Sequence, residues 1–323
     1  MKKAILYVFS GTGNTKKIAD EFKKNFLNYD IETTIYMITS DFSTKPSPDD
    51  FDIVGVGYPV HAFNSPQIVV NFAKSLPEVN QKYTFIFKTS GEPLKLNDAS
   101  STALIKVLKK KGYDVALERH TVMPYNMIFS HIVVMSKYHI IRHNDDMAKQ
   151  LWVLAKRLTR VYAGEIANLK REQIKYPKHR VMMTYPFRVE WFGAKFNGRL
   201  YKVDMNKCIK CMKCVNTCPT HNIKFENGKF KFGNDCIMCV RCSFNCPENA
   251  ISIGFLDSWK VNGSYKLNQL EHNDDIMGNF INPNTPGVAK KVYQEYVEKS
   301  QDLIKEEKRK ENALMVIKEE DKS

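Results

Sequence analysis

The sequence predicts an α/β protein in two parts: a doubly wound parallel sheet of five strands, then a small α+β module held together by metal. Three observations carry this reading. Apolar runs alternate with helical patterns through the first half. A turn of hydroxyl residues and glycine follows the first of those runs. Every cysteine lies between Cys208 and Cys246, in two copies of one spacing.

Ala4 to Phe9 is a continuous apolar run, as expected of a central parallel strand buried on both faces. Ile31 to Ile38 reads as a second strand, Phe51 to Gly57 as a third, Tyr83 to Phe87 as a fourth and Tyr113 to His120 as a fifth. Ile18, Phe22 and Phe26 recur at helical spacing after the first. Further helical patterns span Pro66 to Ala73, Ala99 to Lys111 and Met147 to Tyr162, the last with Leu151, Leu154, Leu158 and Val161 on one side. Strands alternating with helices imply a doubly wound parallel sheet.

Between the first strand and its helix stands Ser10-Gly11-Thr12-Gly13-Asn14-Thr15. Strand, polar turn and helix together make a phosphate site: glycines admit close approach, amides and the helix start face the anion, and the Ser10, Thr12 and Thr15 hydroxyls add donors. No Walker lysine follows and G-x-G-x-x-G is absent, which weakens nucleoside triphosphate and dinucleotide readings. Taken alone, the segment also suits an ordinary turn with a Thr helix cap.

The S-x-T-G-N-T pattern after a first strand resembles the phosphate loop of flavodoxins, and residues 1 to about 165 repeat that family's alternation. The resemblance implies FMN and a flavodoxin-like strand order 2-1-3-4-5, with the cofactor beyond the carboxyl ends of the strands at the switch between the first and third. It places Tyr58, Pro59, Val60, His61, Ala62 and Phe63 after strand three and Thr89, Ser90, Gly91 and Glu92 after strand four, both beside the isoalloxazine. Pro59 to Phe63 would give backbone contacts near the flavin N5 edge and Thr89 to Glu92 near the pyrimidine end. Tyr58, His61, Phe63 and Tyr125 are candidates to cover the ring, although a loop aromatic is more often packing.

Cys208, Cys211, Cys214 and Cys218 with Pro219 form one C-x2-C-x2-C-x3-C-P cassette, and Cys236, Cys239, Cys242 and Cys246 with Pro247 repeat it. Three cysteines three residues apart wrap a loop around one corner of a cubic cluster, and in the bacterial two-cluster arrangement the fourth of each run serves the other cluster. That arrangement assigns Cys208, Cys211, Cys214 and Cys246 to one [4Fe-4S] centre, and Cys236, Cys239, Cys242 and Cys218 to a second. Structural zinc sites need two C-x2-C pairs and neither the third cysteine nor C-P in both halves. Four disulfides would require an oxidising compartment, and no secretory segment is evident. Residues 205 to 253 resemble a bacterial two-cluster ferredoxin, with His221-Asn222 where that family more often has Gly-Ala.

The domain boundaries expected are 1-173 for the FMN domain, 174-202 for an aromatic-rich connector packed between the domains, 203-256 for the ferredoxin-like domain and 257-323 for a C-terminal extension. In that extension Thr285-Pro286 reads as a helix start, and its charged end as a solvated helix that frays. The chain carries 49 Lys and Arg against 35 Asp and Glu, a formal net charge of +14. A basic surface favours redox partner proteins with an acidic docking surface. Met1-Lys2-Lys3 and the short apolar run after it lack a proper signal-peptide core, and no run approaches membrane-spanning length, so a cytoplasmic protein with no membrane association is expected.

A flavin site and two clusters on one chain, with no catalytic nucleophile, di-iron pattern or nicotinamide fingerprint, point to electron transfer with other proteins. The whole resembles the flavodoxin-ferredoxin fusion family over residues 1 to about 256. Two alternatives stand beside this: a reductase of a small acceptor at the flavin edge, and an iron-sulfur redox sensor. Commitment of all eight cysteines and the lack of a helix-turn-helix make nucleic acid the weaker partner.

Overall fold

The structure, a computed structural model, describes residues 1–124, 127, 145–260 and 287–320. Strand β1 (Lys2–Val8) lies between β2 (Ile31–Met37) and β3 (Ile53–Pro59), and β4 (Lys82–Ser90) and β5 (Tyr113–Val122) extend the sheet beyond β3. The order is β2-β1-β3-β4-β5 with every neighbouring pair parallel. This is the flavodoxin-like order that the sequence predicts.

Successive side chains of a strand face opposite ways, so a strand covered on both sides must be apolar throughout. From β1, Ala4, Leu6 and Val8 join Phe85 and Phe87 under helix α1 (Asn14–Phe26) and helix α4 (Asp145–Ala167), which contribute Phe22, Phe26, Trp152 and Leu158. Ile5 and Tyr7 point the other way, with Val54, Val56 and Ile86, under α2 (Gln67–Ser75) and α3 (Thr102–Lys110). The elements shift by a few residues from their expected bounds, and the shifts in β3 and β4 bear on the site. β3 begins at Ile53 and runs on to Pro59, and β4 runs on to Ser90, because Tyr58 pairs with Lys88 and Pro59 with Thr89 in the ladder. Hydropathy does not register those pairings, since Lys88 and Thr89 are polar.

The connector forms α5 (Lys178–Thr184), a 3-10 turn at Pro186–Val189 and α6 (Glu190–Gly198). After it comes the cysteine module. β6 (Lys202–Val203) pairs antiparallel with β9 (Ile251–Ser252), enclosing α7 (Lys213–Asn216), the hairpin of β7 (Ile223–Glu226) and β8 (Lys229–Phe232), and α8 (Arg241–Phe244). The final helix is α9 (Gly287–Glu320). Its front half packs on the first domain: Tyr296, Val297 and Ile304 lie against the core under α1 and α4, and Tyr293 is buried. Tyr293 donates its hydroxyl hydrogen to the Gly91 carbonyl at 2.6 Å, and Tyr296 accepts from the Val122 amide at 3.0 Å. Helical spacing shows such a stripe without showing what it faces. The Thr285-Pro286 start lies outside the described residues. No helix among the described residues is long and apolar enough to cross a membrane.

β3 carries two glycines where the sheet has no room for side chains. A Cβ on Gly57 would come within 2.1 Å of the Phe87 ring, and one on Gly55 within 2.5 Å of Leu6 Cδ2. Their absence lets the two phenyl rings lie across the strand. Gly57→Ala is therefore expected to destabilise the protein by about 1–3 kcal/mol through overpacking. Gly193→Ala, at an exposed position within α6 where the new methyl meets nothing within 4 Å, should instead stabilise by about 0.5–1 kcal/mol. Denaturant titration of both variants checks the pair, and equal effects would contradict the packing argument.

Candidate functional site

The two cassettes fold as copies of one another. Lys210 and Met212 in the first have φ of 53° and 55°, and Met238 and Val240 in the second have 51° and 50°. His221 and Asn249, three residues after the last cysteine of each run, have 51° and 48°. Left-handed backbone is costly for such residues, most of all for β-branched Val240, so its recurrence at matched positions marks a demand of the loop. One result is a matched set of amides aimed at sulfur: Lys210 to Cys208 and Met238 to Cys236, both 3.4 Å, and Asn222 to Cys218 at 3.4 Å with Ala250 to Cys246 at 3.3 Å.

Two cavities result. Cys208, Cys211, Cys214 and Cys246 line one, and Cys218, Cys236, Cys239 and Cys242 line another. Cys242 also reaches the first. All eight are free thiols, and of them only Cys211 is exposed. Among the described residues, no three His, Cys, Asp or Glu side chains converge as they would on one metal ion. The thiols surround a volume instead. Burial pushes the Cys214 thiol up to about 11 and the Cys236 thiol up to about 12, so a metal group entering here must displace protons. Beside the second cavity the buried Tyr201 hydroxyl lies next to Cys236, placed to donate to its sulfur. This donor set, four thiols around each space with N–H and O–H groups aimed at sulfur, fits a pair of [4Fe-4S] groups. The unusual His221-Asn222 has a visible use: Asn222 Oδ1 accepts from the Asp235 amide at 2.7 Å and so fixes the chain just ahead of Cys236.

At the carboxyl end of β1, Ser10 to Thr15 form the turn that the sequence predicts. Gly13 sits at φ 107° as the residue before α1, and no side chain caps that helix, which leaves its first-turn amides to another acceptor. The Thr cap reading therefore does not hold. Ser10 Oγ accepts from the Gly13 amide at 3.2 Å, and Asn14 Nδ2 donates to the Pro124 carbonyl at 2.8 Å. Thr15 is fully buried with its hydroxyl 2.8 Å from that of Thr89, so it braces the loop against β4. Thr12 keeps a partly exposed face.

The loop and the second cassette touch. A Cβ on Gly11 would lie 2.5 Å from the Cys239 carbonyl oxygen and 3.2 Å from Cys239 Cβ. Arg241 donates from Nε to the Gly11 carbonyl at 2.9 Å, from Nη2 to the Ser10 carbonyl at 2.5 Å and from Nη1 to the Thr217 carbonyl at 2.8 Å. The Ser40 amide, just past β2, donates to the Pro219 carbonyl at 2.8 Å. Ile237 and Cys239 pack against the core beneath β1 and β3. The cysteine module thus sits on the strand ends that the phosphate loop leaves from.

Residues 201–224 match the 4Fe-4S binding domain family. No curated protein matches the chain. Similar solved structures include a Bacillus cereus flavodoxin 1, 14% identical over 50% of this chain and 97% of that one, TM-score 0.32. A flavodoxin of Streptococcus pneumonia TIGR4 is 19% identical over 37% and 83%, TM-score 0.31. A Fusobacterium nucleatum flavodoxin bound to flavin mononucleotide is 15% identical over 40% and 71%, TM-score 0.28. The chain joins a flavodoxin-like sheet, established by its own strand pairings, to a ferredoxin-type 4Fe-4S segment.

The two loops expected beside a flavin ring converge, though not every side chain does. The Val60 amide donates to the Thr89 carbonyl at 2.8 Å. His61 and Asn64 bond each other across a tight turn in which Ala62 and Phe63 have φ of 43° and 60°. Tyr58 is corrected: its ring lies in the core under α3, its hydroxyl 2.5 Å from Ser101 Oγ, because β3 runs past it. His61 stands edge-on to Phe9, and Phe63 meets Phe187 with ring centres 4.8 Å apart. Tyr125 lies outside the described residues. The connector also departs in part from expectation. Tyr176 and Tyr201 are packed at its two ends, and Thr184 and Arg188 bond Asn64, but Phe192 and Phe196 are 72% and 61% exposed.

Beneath the Thr89 to Glu92 loop lies a polar network that the sequence does not announce. Lys88 is buried and donates to Glu118 at 2.8 Å and to the Asn97 and Asp98 carbonyls. Glu118 also accepts from Ser101 and Tyr176. His120 Nε2 lies 2.7 Å from Ser90 Oγ. Burial, then the Lys88 charge, hold this imidazole down to about 3. Its folded pKa lies below the ordinary 6.5, so the unfolded chain binds the extra proton, and stability is lost as pH falls from about 6.5 toward about 3. Lowering pH from 7.5 to 5.5 should reduce the melting temperature of the parent protein more than that of His120→Gln. Parallel falls in the two would contradict this origin.

Proposed function

We propose that the protein is an electron-transfer flavoprotein, with FMN on the loops at the carboxyl end of the sheet and two [4Fe-4S] clusters in the cysteine cassettes. The observation that carries this is the contact between Gly11 of the phosphate loop and Cys239 of the second cassette. Cys208, Cys211, Cys214 and Cys246 would hold one cluster, and Cys236, Cys239, Cys242 and Cys218 the other. Ser10 to Thr15 would bind the phosphate, with Pro59 to Phe63 and Thr89 to Glu92 along the ring. When bound, the clusters supply one-electron chemistry and the flavin either one- or two-electron chemistry.

The chain's own residues divide the labour. Crossing of Cys218 and Cys246 ties the cassettes into one unit, so neither loop can load without shaping the other. Amides on the sulfurs favour the more reduced state of a thiolate-bound centre. Gly11, lacking a side chain, lets the loop approach the inner cassette without a spacer. The outer cassette faces solvent at Cys211, ringed by exposed Lys207, Lys210 and Lys213. That surface suits a redox partner protein with an acidic docking face. The location proposed is the cytoplasm.

Protein purified without oxygen should carry about eight irons and about one FMN per chain. Thr12→Val with Thr15→Val removes one hydroxyl donor and the Thr89 brace together. Counts of both cofactors should then show FMN lost and iron retained. Full FMN retention would contradict the phosphate site, and a wild-type protein with clusters and no flavin would leave only the ferredoxin half of the proposal standing.

A further inference from the structure

The two cassettes are copies in backbone, spacing and amide-to-sulfur bonds, and among the matched positions where their residues differ one reaches out of the module. The residue that opens the short helix after the second left-handed step is Lys213 in the first and Arg241 in the second. Lys213 is exposed, whereas Arg241 is partly buried and reaches out of its own module to the Ser10 and Gly11 carbonyls. Among the described residues it has no carboxylate partner; its three acceptors are all neutral carbonyls. A half-buried guanidinium with no carboxylate partner, placed against a turn of phosphate-binding type, is an observation the electron-transfer reading does not by itself require.

A trans peptide sets its N–H opposite its C=O. With the Ser10 and Gly11 carbonyls drawn toward Arg241, the amides of the same two peptide units, those of Gly11 and Thr12, are turned to the other side of the loop. We propose that Arg241 is a positioning residue for the flavin phosphate: it orients the Gly11 and Thr12 amides and places a positive charge behind them. Because the third acceptor is Thr217, one residue before Cys218, the same side chain couples phosphate binding to the metal-loaded second cassette. Coupling of this kind is reciprocal, so FMN should bind more tightly to iron-loaded than to iron-free protein. This rests on the proposed FMN site.

The test uses full-length, iron-loaded, flavin-free protein and measures dissociation constants for FMN and for riboflavin, which lacks the phosphate, by quenching of flavin fluorescence. Arg241→Gln should weaken FMN by about 10- to 100-fold and riboflavin by about twofold or less, with iron unchanged. Arg241→Lys should fall between, because an ammonium keeps the charge without the fork that reaches two carbonyls. Lys213→Gln, the matched change in the outer cassette, should leave FMN affinity unaltered. Gly11→Ala supplies an independent route: its methyl collides with the Cys239 carbonyl and should weaken FMN with Arg241 intact. Equal weakening of FMN and riboflavin, or FMN affinity within about twofold of wild type in Arg241→Gln, would overturn the inference. Loss of iron in Arg241→Gln moves the decision to Gly11→Ala, where unchanged FMN affinity would overturn it equally. Wild-type protein that binds no FMN would instead remove the flavin site itself.

Discussion

The contact between Gly11 and Cys239 sets the relation between the two halves of the molecule. It exists because position 11 has no side chain, because the cassette holds Cys239 between two left-handed residues, and because Arg241 bonds both carbonyls that flank the approach. Each condition comes from a different part of the chain. A methyl group on residue 11 would open the junction, and with it the short path between the phosphate loop and the inner cysteines.

The two cassettes are alike as ligands and unlike as surfaces. The second is covered by the sheet's strand ends, by Tyr201 and by the end of α6, where Gly198 leaves room for Cys236 at a distance no Cβ could share. The first presents Cys211 and a row of lysines to solvent. A nearly symmetric repeat has thus been given an inner and an outer end by a handful of non-ligand residues. A module this small has little apolar core of its own, so its stability depends on what its thiols bind.

Much of this was legible in the residues. The five strands follow from apolar runs, their order from the resemblance of the polar turn to the flavodoxin loop, and the cysteine spacing pointed to the 4Fe-4S binding domain family that residues 201–224 match. Side-chain direction was not legible. Tyr58 looked like a loop aromatic because hydropathy ends the third strand too early, and only its pairing with Lys88 carries the strand past it. Lys88 and Glu118 hide for a related reason: each is a charge within a strand, and a buried pair shows only when both partners are placed. Arg241 carried a signal that alignment of the two cassettes within the chain would have exposed, as the one cationic position that differs between Lys and Arg. The docking of α9 was invisible, since its stripe of tyrosine and valine fits any apolar neighbour.

The central claim is that a flavin and iron-sulfur centres share one polypeptide at a fixed, close junction. Rapid mixing of the loaded protein with less than one equivalent of a one-electron reductant, followed at flavin and cluster wavelengths, tests it most directly. The account predicts redistribution between the two chromophores in a single phase whose rate does not change with protein concentration. A redistribution rate that rises in proportion to protein concentration, or no redistribution at all, would contradict it.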